Sequence, residues 1–302
     1  MLDFTEIPTG EAFELLIRDM LVAMNYRVSW SGRGVDQGKD LIVEEAGDKR
    51  FGEKPRRWVV SCKHNALANN MKGRSVSAED VGSHGGIADT VHEHEADGFL
   101  VACSTQPSSG LVQRLTAIEE KKNIPTHYWD SETLRHWLNT PACWAVAQRY
   151  MPKTADGRRV YATEESNKFI VIAKGAFVRY ANRHSSNPDF QLQWIDQRID
   201  AISTIELPDG FELRLRGVFF NDKTGVVNWY FDCLYGESDF YAIIEPTTES
   251  MIAESIARDF SSRDFGDYQI NDYDVKMRTV NRLSDSYDPD HYSFYRTLPS
   301  YI

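Results

Sequence analysis

The spacing of apolar residues changes repeatedly within residues 1–140, and the order of these changes constrains the fold more than any other feature of the sequence. From Phe13 to Met24 apolar residues recur at intervals of three and four, which predicts a helix with Thr9 as its N-cap. Shorter stretches with strand-like spacing follow this helix. They predict three strands, Tyr26 to Trp30, Leu41 to Glu45 and Trp58 to Lys63.

After Lys63 the sequence alternates between helix-like and strand-like spacing. Ser77 and Asp80 are spaced as in a capping box, which predicts a helix that ends near Glu95. Because strands joined through helices return parallel, this order predicts an α/β fold, a mixed sheet flanked by helices. The further predicted elements are a strand from Asp97 to Ser104, a helix capped by Ser108 or Ser109, a strand from Thr126 to Trp129 and a helix from Ser131 to Leu138.

The length of the chain and its turn-forming residues predict two domains. A chain of 302 residues suits two domains of ordinary size, and Pro141 and the stretch from Pro152 to Arg159 mark the boundary. We expect one domain at residues 1–145 and a smaller α+β domain at residues 155–302. The second domain is predicted from strand-like stretches and one helix, namely Phe211 to Phe220, Val226 to Tyr235, Phe240 to Ile244 and the helix Glu249 to Phe260.

Composition limits the compartment and the kind of partner. The apolar stretch from Phe169 to Val178 is short and interrupted by Lys174, so we expect no membrane helix. Met1 to Phe13 has neither the basic start nor the apolar segment of a signal peptide, and the four dispersed cysteines suit ordinary thiols, which together predict a cytoplasmic protein. The net charge of -11 argues against a protein that coats nucleic acid, but it leaves room for a local basic groove.

Charged residues at the predicted strand ends can be brought together by the fold. Asp40 opens one strand, and Ser61 and Lys63 lie two apart on the next, so their side chains share a face. If these strands pair as a hairpin, Asp40 and Lys63 converge at one end of the sheet. Glu14, beside the apolar face of the first helix, can reach the same place. Phosphodiester hydrolysis needs this set, because carboxylates hold a divalent cation and lysine offsets charge on phosphorus.

Four stretches of this region resemble the Mrr-like restriction endonuclease family, within the PD-(D/E)xK nuclease superfamily. The resemblance covers roughly residues 9–140 and implies a restriction-endonuclease-like fold and nuclease activity. The stretches are GEAFE at Gly10 to Glu14, GVDQGKDLI at Gly34 to Ile42, VVSCKH at Val59 to His64, and ADGFLVACST at Ala96 to Thr105.

The resemblance also implies roles for individual residues. Asp40 matches the metal-binding aspartate, Lys63 the motif lysine and Glu14 the glutamate of the first helix. Ser61 stands where the superfamily has Asp or Glu, so it is expected to act through water rather than as a direct ligand. The backbone carbonyl of Cys62 would then complete the shell of a Mg²⁺ or Mn²⁺ ion.

The expected substrate is DNA, with nucleic-acid contacts at His64, Lys72 and Arg74. His64 would face away from Lys63, so a packing role stays open for it. Asp36, between glycines, is either a second acid or a turn former. A homodimer would allow both DNA strands to be cut. The other expected association is with a partner protein of a defence system.

The leading functional hypothesis is a metal-dependent DNA endonuclease of bacterial anti-phage defence or restriction, whose C-terminal domain senses, recognises or docks. One alternative is a catalytically silent nucleic-acid-binding or assembly subunit on a nuclease fold, because a fold does not guarantee an activity. Another is a nuclease effector that a partner or ligand switches on. Both alternatives remain open at the level of the sequence.

Overall fold

The computed structural model of the protein describes residues 1–30, 40–45, 55–82, 84–162, 168–181, 189–207, 211–221, 226–235, 246–257 and 272–281. Two compact units make up the chain, Met1–Ala155 and Asp156–Ile302. Each unit has its own sheet and its own hydrophobic core. Among the described residues, no helix has the length and apolar character needed to cross a membrane.

The first unit contains a mixed five-stranded sheet in the order β1-β2-β3-β4-β5. Its strands are β1 (Arg27–Trp30), β2 (Leu41–Glu45), β3 (Arg56–Lys63), β4 (Gly98–Cys103) and β5 (Thr126–Trp129). The first three strands are antiparallel, whereas β3, β4 and β5 are parallel, as expected for strands joined through helices. The predicted mixed α/β sheet is therefore confirmed.

Helices lie on both faces of this sheet. They are α1 (Gly10–Ala23), α2 (Ala68–Met71), α3 (Ala78–Val81), α4 (His84–Glu93), α5 (Ser109–Lys122), α6 (Ser131–Leu138) and α7 (Pro141–Tyr150). Helix α1 contacts β3 and α7, and its N-cap is Thr9, whose hydroxyl accepts a hydrogen bond from the Ala12 amide at 3.0 Å. The opposite face packs against α3, α4 and α5 around a core that contains Val59, Phe99 and Val101.

Two predictions in this unit were wrong. The helix expected from Ser77 to Glu95 is two helices, because Gly82 ends α3 with φ of +110°, a conformation that side chains rarely tolerate. The capping box of Ser77 and Asp80 is nevertheless present. Pro141 does not mark a boundary but stands in the first turn of α7, where the fixed φ of proline suits a helix.

The second unit contains a six-stranded sheet in the order β11-β10-β9-β8-β7-β6. Trp229 and Phe231 are fully buried in its core, onto which the helices pack. The predicted strand from Phe240 to Ile244 lies outside the described residues. The elements are β6 (Arg159–Ala162), β7 (Lys168–Ala173), β8 (Ala176–Ala181), α8 (Asp189–Ser203), β9 (Phe211–Asn221), β10 (Val226–Tyr235), α9 (Pro246–Ala257) and β11 (Asp272–Asn281).

Candidate active site

Asp40 is held where β2 meets β3. Its backbone amide donates to the Val60 carbonyl at 3.0 Å, and its carboxylate Oδ2 accepts a hydrogen bond from the backbone amide of Cys62. The register pairs Leu41 with Val60, so Asp40 stands at the rung where the regular ladder ends. The side chain of Asp40 thus takes the place of a backbone acceptor, which fixes the carboxylate against the end of β3.

Lys63 is the last residue of β3 and is partly buried. Its carbonyl accepts a hydrogen bond from the Ser104 amide at 3.0 Å, which ties the end of β3 to the chain that follows β4. Because side chains alternate along a strand, Lys63 shares a face with Ser61. The antiparallel register carries Asp40 to the same face, opposite Ser61.

The thiol of Cys62 lies among three charged side chains. Burial raises the pKa of Cys62 most strongly, the negative charges of Asp40 and Glu14 raise it further, and the positive charge of Lys63 lowers it. Electrostatic effects of this kind fall off with distance, so Asp40, Glu14 and Lys63 all lie near this thiol. Glu14 comes from α1, where the adjacent Phe13 is fully buried. The predicted acids and lysine thus all act electrostatically on one thiol at the end of β3.

The oxygen donors at this place fit a hard divalent cation. Carboxylates and backbone carbonyls are the ligands that Mg²⁺ takes, and Mg²⁺ keeps several waters, so one or two carboxylates suffice. A carboxylate has two oxygens and accepts several bonds, so the bond that Asp40 accepts from Cys62 is compatible with a role as a metal ligand. Within the described ranges there is no cluster of three or more His, Cys, Asp or Glu side chains suited to a metal. Asp36 lies outside those ranges.

Ser61 is fully buried, with an exposed fraction of 0%. Its hydroxyl has no hydrogen-bond partner among the residues that the structure describes. Burying a hydroxyl without a hydrogen-bond partner costs folding free energy. Either the protein bears this cost, or the hydroxyl forms a hydrogen bond with a bound ligand. Its role as a catalytic residue stays a prediction.

The three residues expected to contact nucleic acid have different surroundings. His64 bonds through Nε2 to the Ile7 carbonyl at 2.9 Å and stacks on Phe13, with ring centroids 5.2 Å apart. Burial lowers the pKa of His64. These contacts support the packing role, although a contact with phosphate stays a prediction.

Arg74 and Lys72 follow the loop after β3. Arg74 forms a bidentate ion pair with Asp80, at 2.7 and 2.8 Å. The Asp80 carboxylate neutralises the positive charge of Arg74 that would otherwise attract a phosphate. Lys72 is exposed and makes no ion pair with another described residue. Lys72 is therefore the better placed of the two for a phosphate, and both assignments stay predictions.

Ser104, at the end of an apolar strand, organises the turn that follows Lys63. Its hydroxyl accepts hydrogen bonds from the amides of Asn65 and Ala66, at 2.9 and 3.1 Å. These bonds hold the chain directly after Lys63 against the end of β4. A serine that ends an otherwise apolar strand is the only signal for this role in the sequence.

Helix α1, the mixed sheet and the charged residues at the ends of β2 and β3 all lie in the part of the chain that matches a known family. Residues 8–138 match the family model of the Mrr_cat restriction endonucleases. The resemblance seen in the sequence is thereby confirmed for residues 8–138, the part of the chain that matches the restriction endonuclease family. A comparison of the sequence with curated proteins gave no match.

Comparison with solved structures gave similarities of low extent. The MspJI restriction endonuclease, in complex with a 27-mer oligonucleotide, has a TM-score of 0.30 and 17% identity over 49% of this chain and 30% of its own. The present chain therefore spans less than a third of the MspJI chain. A Thermotoga maritima protein described as fatty-acid-binding has a TM-score of 0.15 and 14% identity over 83% of this chain and 82% of its own. Neither superposition is close enough to carry a conclusion.

Proposed function

We propose that the N-terminal unit hydrolyses phosphodiester bonds in DNA with the help of Mg²⁺ or Mn²⁺. The observation that carries this proposal is the Asp40 carboxylate bound to the Cys62 amide at the end of β3, the strand that ends at Lys63, with the charge of Glu14 acting on the same Cys62 thiol. The family match supplies the reaction class.

Asp40 and Glu14 would hold the cation, together with the backbone carbonyl of Cys62. Such an ion polarises a phosphate and acidifies a bound water when it is present. The bond from the Cys62 amide keeps the Asp40 carboxylate in place before substrate arrives, so little reorganisation is needed. Glu14 approaches from a rigid helix, which restricts its position in the same way.

Lys63 would contact the scissile phosphate. Its ammonium group is the positive charge that acts on the Cys62 thiol together with the carboxylates of Asp40 and Glu14. In the reaction it can offset the negative charge that builds up on the phosphate oxygens. It can also orient the attacking water. The bond between its carbonyl and Ser104 restricts the end of the strand on which it stands.

The biological setting belongs to the same proposal. We infer a role in bacterial anti-phage defence or restriction, in which the second unit senses a signal, recognises the target or docks a partner. Cutting both DNA strands suits a homodimer, and a protein of the same defence system is the other expected partner. Four free, buried cysteines suit a reducing cytoplasm.

A supercoiled-plasmid assay tests the activity directly. The full chain is incubated with plasmid in MgCl₂, in MnCl₂ and in EDTA, and nicked and linear products are measured. We expect products with either cation and none with EDTA. Equal cleavage in EDTA would contradict the metal, and plasmid left intact under every condition would contradict DNA cleavage by the chain alone.

A non-cleaving subunit on the same fold is the second candidate function, and Ser61 is the observation in its favour. A neutral, buried hydroxyl replaces an acid that would otherwise bind the cation. In this case the chain would retain DNA in a mobility-shift assay and leave the plasmid uncut. Restoration of cleavage by a partner protein or small molecule would instead identify a gated effector.

A further inference from the structure

A cavity of about 250 Å³ opens in the first unit, on the face of the sheet that carries Trp58 and Val60, whereas the side chain of Lys63 points to the other face. Trp58, in its wall, precedes Lys63 on β3 by five residues, which corresponds to roughly 16 Å along a strand. Val60 also lines the cavity, but Asp40, Glu14 and Lys63 do not. We call it the aromatic cavity, and its side walls are Tyr26, Glu45, Arg56, Trp58, His127 and Trp129.

The aromatic rings of this cavity are held in place by the sheet. Trp58 and His127 stack with ring centroids 5.3 Å apart and an interplanar angle of 25°. The indole of Trp58 passes over Gly98, where an added Cβ would lie 2.7 Å from its Cε3 atom and 2.9 Å from the Pro125 carbonyl. The absence of a side chain at Gly98 thus makes room for the indole. Trp129 lies two residues after His127 on β5, on the same face.

The polar groups of the aromatic cavity are not used by the protein itself. The side chains of Glu45, Arg56 and Tyr26 make no hydrogen bond or ion pair with any other residue that the structure describes. Burial and the nearby Glu45 carboxylate raise the pKa of the Tyr26 phenol. Glu45 and Arg56 are opposite each other in the register of β2 and β3. The carboxylate of Glu45 and the guanidinium of Arg56 can therefore form hydrogen bonds with a ligand.

We propose that the aromatic cavity binds the guanine base of a nucleotide. The volume is below the range of pockets for drug-sized ligands and suits one planar base. Bases stack well on indole and imidazole rings, which supplies affinity. An ionised carboxylate only accepts hydrogen bonds, so Glu45 selects a ring edge with adjacent donors, as guanine has in N1–H and its exocyclic amine. Arg56, which is exposed, would face the phosphate.

Other bases fit this chemistry less well. Adenine presents a ring-nitrogen acceptor where guanine has N1–H, which would face the Glu45 carboxylate unfavourably. Cytosine and uracil have smaller rings and stack less on the aromatic walls. The proposal does not depend on nuclease activity, because none of the cavity residues belongs to the candidate active site.

Calorimetric titration of the full chain with guanosine monophosphate tests this inference. We expect saturable binding of one equivalent, and at least about tenfold weaker binding of adenosine monophosphate, since one charge-assisted hydrogen bond is worth a factor of that size. Glu45→Gln should weaken the binding of guanosine monophosphate at least about tenfold. Glu44→Gln is the matched control, because Glu44 is exposed and its side chain points to the other face.

A second variant keeps the test decisive if Glu45→Gln folds poorly. His127 is exposed, so His127→Ala should preserve the fold. The substitution removes one stacking ring and should weaken the binding of guanosine monophosphate. No saturable heat with guanosine monophosphate, or equal affinity for both nucleotides that Glu45→Gln leaves unchanged, would overturn the proposal.

Competition separates the two sources of the base. A duplex with one unpaired guanine that displaces guanosine monophosphate, while a fully paired duplex does not, identifies an unstacked base of nucleic acid as the ligand. Displacement by neither duplex identifies a free nucleotide.

Discussion

The backbone amide of Cys62 donates a hydrogen bond to the carboxylate of Asp40. This bond joins β3 to β2 through a side chain, at the point where the regular backbone pairing of the two strands ends. This bond fixes the negative charge of Asp40 at the end of β3, the strand whose last residue is Lys63. It also makes the position of the acid a property of strand register. The candidate active site is therefore as rigid as the pairing of β2 with β3.

Asp40→Asn should abolish cleavage while leaving the fold intact. The amide oxygen can still accept from Cys62, so thermal stability should change little, but the loss of charge should lower cleavage by on the order of a hundredfold or more. Plasmid cleavage and isothermal titration with Mn²⁺ measure the two effects. Asp89→Asn, on the exposed side of α4, is the control and should behave as wild type. Unchanged cleavage by Asp40→Asn would remove Asp40 from the site.

Lys63→Met should separate DNA cleavage from metal binding. The methionine keeps the length of the apolar stem but removes the ammonium group, so we expect a loss of on the order of a hundredfold in cleavage rate. Affinity for Mn²⁺ should stay the same or increase, because a positive charge near the carboxylates is gone. Lys122→Met at the exposed end of α5 is the control. Loss of metal binding together with cleavage would instead indicate a collapsed site.

Ser61 can be tested by two substitutions with different expected effects. Ser61→Ala removes a buried hydroxyl that has no partner among the described residues, so the free energy of unfolding should stay equal or rise by up to about 1 kcal/mol. Ser61→Glu should lower stability, because it adds a carboxylate to a fully buried position. If that position faces the cation, MgCl₂ should raise the melting temperature of Ser61→Glu more than that of wild type. An equal response of both proteins would place Ser61 away from the metal.

Gly98→Ala should destabilise the first unit. The added methyl group would collide with the Trp58 indole and with the backbone carbonyl of Pro125, which cannot move away as a flexible side chain could. We expect a cost of about 1–3 kcal/mol in the free energy of unfolding, measured by urea denaturation. Gly10→Ala is the matched control, because a Cβ there meets nothing within 4 Å. Equal stability of the two variants would show that the indole does not need this space.

The stability of the protein should depend on pH through His64. Burial lowers the pKa of His64 in the folded state below its ordinary value of 6.5, so protonation favours the unfolded chain. The melting temperature should therefore fall as the pH drops through 6.5 and level off below the folded-state pKa. His64→Leu should reduce this fall, whereas His92→Leu, at an exposed position, should keep it. An unchanged pH profile in His64→Leu would contradict the assignment.

Much of the first unit was determined by local sequence. The apolar spacing of α1, its Thr9 cap and the limits of β2, β5 and α6 follow from residues that are neighbours in the chain. The pairing of Asp40 with the Lys63 strand was likewise foreseeable from a hairpin. In the second unit the turn at Lys174 and Gly175, both with positive φ, joins β7 to β8. The sequence analysis used Lys174 only to exclude a membrane helix and missed both strands.

Only the tertiary structure decided which polar groups are in contact. Sequence spacing shows that Ser61 and Lys63 share a face, but not that Ser61 is buried or that the Asp40 carboxylate takes the Cys62 amide. The aromatic cavity depends on Gly98, far from Trp58 in the chain, because strand neighbours are set by pairing rather than by sequence distance. Local periodicity thus determines the elements and the faces of this protein, whereas burial and hydrogen bonding depend on residues that only the folded sheet brings together.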